Sequence, residues 1–303
     1  LDGRDWRLEF SQSKKLRDLT RAGSPPARVD FFSSGQSLDS LRWQGRLQSL
    51  FSATGRHKLD RVRLLEAGGW QLPSWRGCRS LVSDGQGHLE AIDRPGHERP
   101  SCERLLDNLR QQMKVYPSAM QVVVVSGHGD PDRVSGLAVN QLAETLEQAT
   151  EETGVPVRMF VSDACNLGNL SALAALPSSV EVAVVAQGKP ILEEQLAEKD
   201  GQVMGSRVRD ALDLSALAGD DPQSLARSLV EAPRSTGGLT AVDLKVLREQ
   251  LLPAVAALKL ENGQDLGQQL AQLGASQALE AYHDCLIAHR PSATQPELTG
   301  LGA

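Results

Sequence analysis

An α/β fold with a mostly parallel central sheet is what this sequence predicts, and three features carry the prediction. Residues 121–125 and 157–161 are apolar runs rich in β-branched side chains, and 180–185 is a third. Such runs, without polar alternation, mark strands covered on both faces. Helix-like segments separate them, and the order strand, helix, strand, helix, strand is the signature of right-handed crossovers in a parallel sheet. The first two runs end abruptly in small and polar residues, Ser126-Gly127-His128-Gly129 and Ser162-Asp163-Ala164-Cys165-Asn166. In open α/β sheets, the rim beyond the carboxyl ends of the strands is where ligands bind.

The remaining elements follow in order. Residues 1–27 are polar and basic, with Lys14, Lys15, Arg17 and Arg21 ahead of Gly23-Ser24-Pro25-Pro26, and read as an arm or pro-segment. Val29–Phe32 reads as a first strand and Leu41–Phe51 as a helix. Arg61–Leu65 and Cys78–Val82 are further strands, with Gly68-Gly69 turning between them. Ser101 is placed to cap a helix through Met113. Asp130–Gly136 is a loop. Asn140 then caps a helix with Leu142, Leu146 and Ala149 on one face, stopped by Gly154 and Pro156. An Ala/Leu-rich helix follows Cys165 and closes near Pro177. From Ile191 onward no strand is expected: 203–217, 221–231, 239–260 and 265–288 read as helices. The domain expectation is therefore an arm at 1–27, a catalytic α/β domain at 28–190, a helical C-terminal region at 191–290 and a frayed tail at 291–303.

Composition narrows the function classes. A chain of 303 residues is long enough for one full α/β core with a helical appendage. A formal net charge of −6 gives no basic footprint for nucleic acid, and no run approaches the roughly 20 apolar residues of a membrane span. Cys78, Cys102, Cys165 and Cys285 are widely spaced, so neither a metal site nor a disulfide framework is expected, and no cofactor is expected. Reduced thiols favour a cytoplasmic location over secretion. The chain opens at Leu1 without a methionine, which carries the expectation that its natural start lies upstream and leaves secretion open.

The chemistry concentrates at the two strand ends. Cys165 is the candidate nucleophile, and a helix starting just after it would aim N–H groups and a positive dipole end at the sulfur. His128 is the candidate proton donor to a leaving amine. The N–H groups of Gly129 and Cys165 are the natural oxyanion donors, and glycine at 129 lets a substrate backbone come close. Taken singly, a cysteine is most often a small buried hydrophobe and a histidine a surface residue. Two strand ends on one rim shift the balance to a catalytic dyad. His57, His88, His97, His283 and His289 lack such a setting and read as plain surface histidines. Asp163 lies two positions before Cys165, so on an extended strand both side chains share a face. It is either a pocket acid, pairing with arginine or lysine in a substrate, or a cap for the following helix.

The His-Gly and Asp-Ala-Cys blocks resemble those of the caspase-fold cysteine peptidases, most closely the clostripain family. Arg79–Gly85, the stretch ending Val115-Tyr116-Pro117, and Leu239–Leu244 are similar to further family landmarks in the family's order, so residues 28–260 are covered. The resemblance implies a caspase-like (caspase-hemoglobinase) three-layer fold. It assigns catalysis to His128 and Cys165, oxyanion donation to Gly129 and Cys165, and recognition of the basic residue before the scissile bond (P1) to Asp163. Calcium is implied by the family only, and Ser33-Ser34-Gly35-Gln36 departs from the acidic or amide residues that usually end the first strand.

The expected activity is an endopeptidase cutting after Arg or Lys. Its partner is a protein or peptide with a basic P1 residue, without nucleic acid or membrane, and a monomer is favoured. The alternatives are a degenerate caspase-fold scaffold and a transpeptidase or ligase using the same acyl-enzyme. Asp130, Asp132 and Arg133 are ordinary turn residues or part of a cleavable zymogen loop, with Arg133 the candidate autocleavage site. The basic residues of the arm offer the same for its removal.

Overall fold

In a computed structural model of the protein, the structure describes residues 4–8, 27–33, 62–67, 77–83, 89–91, 102–115, 120–126, 129–134, 137–162, 164–188, 221–231, 238–291 and 295–303. The expected helices at 41–51 and 203–217 lie outside them.

Strands β1 (Arg4–Leu8), β2 (Ala27–Ser33), β3 (Val62–Ala67), β4 (Gly77–Ser83), β5 (Leu89–Ala91), β6 (Met120–Ser126), β10 (Val157–Ser162), β11 (Val182–Ala186), β12 (Leu239–Asp243) and β13 (Leu286–Arg290) join one ten-stranded sheet. Its order is β13-β12-β11-β10-β6-β2-β3-β1-β4-β5. The block β11-β10-β6-β2-β3 is parallel throughout, and the antiparallel pairs lie to either side of it. The caspase-like class with a mostly parallel central sheet thus holds. A separate small sheet comprises β7 (Gly129–Asp130), β8 (Arg133–Val134) and β9 (Leu137–Ala138).

Helices α1 (Cys102–Val115), α2 (Val139–Thr153) and α3 (Leu170–Ala175) supply the crossovers around β6, β10 and β11. Val123, Val125, Phe160, Ala183, Val185 and Val242 share one continuous apolar cluster with residues of these helices, among them Leu109, Leu146 and Leu173. The alternate strand residues Val122, Met159, Val161, Val182, Val184 and Ala241 are equally buried but stand outside that cluster. Period-two alternation assigns them to the other face, where α4 (Pro222–Glu231) packs against β11, β12 and β13. Helix, sheet and helix make three layers.

Several elements differ from expectation. Arg4–Leu8, read as part of an arm, forms β1 between β3 and β4. Trp6 and Leu8 supply only a short, charge-interrupted pattern, too weak to read as a strand alone. The C-terminal region is helical over α5 (Leu244–Val246), a π-helical turn Leu247–Leu251, α6 (Leu252–Val255), α7 (Leu266–Gln272) and α8 (Ser276–Cys285). It also contributes β12 and β13, where the sequence reads as continuous helix. Asp243 marks the switch, since its carboxylate accepts from the N–H groups of Lys245 and Val246 and caps the helix after the strand. Ala138, not Asn140, holds the N-cap position of α2, while Gly154 in the left-handed region ends that helix as expected. Residues 295–303 are docked rather than frayed: Leu301 is fully buried, and the Gly302 backbone bridges to Asn169 and Asp265.

Candidate active site

Strands β6 and β10 run side by side with Val161 beside Val124 and Ser162 beside Val125. His128 and Cys165 each follow three positions after this last register pair. His128 and Asp163 themselves lie outside the described residues, so the geometry below belongs to the backbone and side chains around them.

Directly after β10, the N–H of Ala164 donates to Ser162 Oγ (3.2 Å), turning the chain inward at a fully buried alanine. Cys165 follows, half-buried and in no disulfide. The expected helix does not start here. Residues 165–166 form a turn instead, with Asn166 at φ 60°, irregular chain follows, and α3 begins only at Leu170. This loop is fastened to the end of β11 by two backbone bonds of 2.8 Å, Asn166 N–H to Gly188 O and Gly168 N–H to Ala186 O. Gly168 is obligatory on contact grounds: a β-carbon there would lie 2.9 Å from the Gln187 nitrogen.

The second wall is the β7–β9 meander. Gly129 pairs with Val134, and its backbone presses on the Cys165 loop. A β-carbon at Gly129 would sit 2.6 Å from Ala164 Cβ and 3.1 Å from the carbonyl oxygens of Arg133 and Cys165. The two residues expected to donate to an oxyanion are therefore brought into one contact. Arg133 lies in β8, the middle strand of this meander, and is exposed, as are Asp130, Pro131 and Asp132.

A residue that the sequence reading passed over joins the two walls. Asn169 accepts from the Ala172 N–H through Oδ1 (2.9 Å), which fixes its amide orientation. Its Nδ2 then donates to Pro131 O (3.0 Å) and to Asn166 O (2.9 Å). The signal in the sequence is the run Asn166-Leu167-Gly168-Asn169, dense in turn and cap residues directly after the cysteine.

Behind the loop lies a buried polar network that sequence also missed. Gln187, just past β11, donates to Asp265 (2.9 Å) and accepts from the Gly300 N–H (2.8 Å). Asp265 further accepts from the N–H and hydroxyl of Thr299, both at 2.7 Å. The Gly302 N–H reaches Gly168 O (2.8 Å), and Leu170 N–H reaches Gly302 O (3.1 Å). His289 belongs here rather than on the surface: it lies in β13, with Nε2 donating to Leu298 O and Nδ1 3.0 Å from Thr240 Oγ1. Burial holds its pKa below the ordinary histidine value.

Burial pushes the Cys285 thiol up to about 12 and also raises that of Cys102, so neither is set up as a thiolate. Among the described residues there is no group of three or more His, Cys, Asp or Glu suited to a metal ion, and no helix long and apolar enough to cross a membrane. The departure noted at the first strand begins at Ser33, the last residue of β2; 34–36 lie outside the described residues.

No family model matches the chain, and no curated protein matches it. Solved structures do. An inactive zymogen C11 protease from Parabacteroides distasonis superposes with a TM-score of 0.58 at 13% identity, covering 88% of this chain and 84% of that one. A secreted C11 cysteine protease from Bacteroides thetaiotaomicron, iotapain, gives 0.53 at 10% identity, covering 92% and 93%. A secreted C11 protease of the same organism, in complex with an irreversible peptide inhibitor, gives 0.55 at 11% identity, covering 92% of both chains. The chain has the C11 protease fold. That agrees with the clostripain-like, caspase-fold resemblance carried by the His128 and Cys165 blocks.

Proposed function

We propose that the protein is a cysteine endopeptidase that cleaves after arginine or lysine. The observation that carries the reading is the meeting of the two strand ends: β6 and β10 are in register, and Gly129 lies against Ala164 and Cys165 at the rim. The C11 fold, with a solved neighbour bound to a peptide inhibitor, supports peptide as the ligand class.

In this reading the Cys165 sulfur attacks the scissile carbonyl carbon and forms the C–S bond. Electrons move to the carbonyl oxygen, which the N–H groups of Gly129 and Cys165 stabilise. Collapse of the tetrahedral adduct breaks the C–N bond, and His128 gives the leaving amine its proton. Water then hydrolyses the thioester, with His128 accepting a proton and the thiol restored. Asp163 pairs with the basic P1 side chain, a bidentate link for arginine and a point-charge contact for lysine. Arg133, exposed on β8, suits the same pocket and supports autoproteolytic activation of a zymogen.

The test is a P1 scan with fluorogenic peptides on the wild type and on Cys165→Ala. Cleavage after arginine or lysine that vanishes in the variant supports the reading. Turnover that survives in Cys165→Ala, or a wild type that ignores basic peptides, refutes it.

A further inference from the structure

The oxyanion site proposed above is assembled from two segments that are distant in sequence, and something must hold them at a fixed separation. Gly129 sits on the meander and Cys165 on the loop after β10. The glycine packs so tightly on that loop, chiefly against Ala164 Cβ, that a β-carbon at 129 is forbidden. Glycine permits that approach but supplies no attraction of its own.

Asn169 supplies it. One NH2 group donates both to Pro131 O, two residues beyond Gly129, and to Asn166 O, immediately after Cys165. The residue is almost fully buried, at 8% exposure, so these bonds have little competition from water. Its Oδ1 is committed to the Ala172 N–H, and its backbone is bridged to Gly302, which itself bonds to Gly168 and Leu170. The amide cannot swing away without breaking the cap of α3. A polar clamp is thus fixed at its base by a helix and the returning C-terminal segment at Gly302, with its two donors spanning the gap between the oxyanion segments.

We infer that Asn169 is a positioning residue that sets the distance between the Gly129 and Cys165 N–H groups; the catalytic consequence rests on the peptidase reading above. The same bond to Pro131 ties the exposed 130–133 turn to the Cys165 loop, so a change in that turn is felt at the nucleophile through this side chain.

Two variants keep an oxygen for the Ala172 N–H while removing the amide NH2: Asn169→Asp, which when ionised has no donor, and Asn169→Ser, which has one O–H for two acceptors. With an arginine peptide, kcat should fall about 100-fold, the scale of a misplacement of about 1 Å at a reacting group, while KM changes little. Alkylation of Cys165 by iodoacetamide uses no oxyanion donor and should stay near the wild-type rate. Hydrogen exchange over 129–134 and 164–168 should quicken in both variants, with α1 and α2 unaffected, whether or not the protein turns over peptide. Wild-type kcat in either variant overturns the inference, as does unchanged exchange in those two segments. A kcat loss accompanied by faster exchange throughout the chain also overturns it, because that is loss of general stability. If the wild type itself cleaves nothing, the peptidase reading fails, and the exchange comparison still decides whether Asn169 is the clamp.

Discussion

Gly129 and Ala164 stand so close that a β-carbon on the glycine would lie 2.6 Å from the alanine Cβ. Side-chain carbons do not approach to that distance, so the meander and the Cys165 loop can meet only while position 129 is bare. Gly129→Ala should force them apart. Overpacking of this kind costs about 1–3 kcal/mol, and a urea titration would read it. The larger effect is expected in kcat, because both proposed oxyanion donors move. An alanine variant with wild-type kcat and stability would show that the contact is dispensable.

Thiol chemistry should single out one cysteine. Cys165→Ala should abolish turnover with the fold retained, since the side chain is small and lies at the rim. Cys78→Ala, Cys102→Ala and Cys285→Ala should leave the chemistry intact. At pH 8 iodoacetamide should mark Cys165 ahead of Cys102 and Cys285, whose thiols burial keeps protonated. Peptide mapping by mass spectrometry checks the order, and prior labelling of Cys285 would contradict it.

Asp163→Ala should cut kcat/KM for arginine peptides far more than for neutral ones, mainly through KM. Losing one partner of a desolvated charge pair costs about 2–5 kcal/mol. A variant that keeps the basic preference would place the pocket acid elsewhere.

His289 gives a pH dependence whose sign follows from its setting. Burial depresses its folded pKa below the ordinary 6.5, outweighing the attraction of Asp265. The unfolded chain therefore takes up a proton first as pH falls. The stabilisation is complete above about pH 6.5 and is lost as pH falls through the depressed folded value. Urea midpoints should drop on acidification in the wild type and drop less in His289→Gln. Parallel curves for the two proteins would remove His289 from the account.

Activation should leave a cut at Arg133. The residue is exposed on β8, and cleavage after it should occur in aged wild-type protein but not in Cys165→Ala or Arg133→Ala. Val134 is buried and paired with Gly129 and Leu137, so both fragments should stay together. N-terminal sequencing decides the site: a new start at Val134 supports the loop, and one within 15–29 supports removal of the basic segment. An intact, fully active chain excludes both.

The central strands were legible because a strand covered on both faces must be largely apolar: β11 is wholly so, and β6 and β10 hold the unbroken runs Val122–Val125 and Met159–Val161. The rim positions of Gly129 and Cys165 followed from the ends of those runs. What escaped was structure whose signal lies in partners rather than in local pattern. β12 carries Leu239 and Ala241, which suit a helix equally well, and only β11 and β13 on either side make it a strand. β13 is only partly buried and has no alternation to read. Asn169 was passed over because both its acceptors are backbone carbonyls, one of them 38 positions away. The polar segment after Arg290 reads as loose until Asp265 and Gln187 are seen waiting for its amides.

The bridge from Gly302 to Gly168 has a consequence for timing. The Cys165 loop is complete as a sequence long before residue 302 is made, yet its backing includes bonds that residue 302 provides. During translation the Cys165 loop therefore lacks part of its support until the segment around Gly302 emerges and docks. The loop after β10 and the segment around Gly302 gain their mutual bonds only once both have left the exit tunnel.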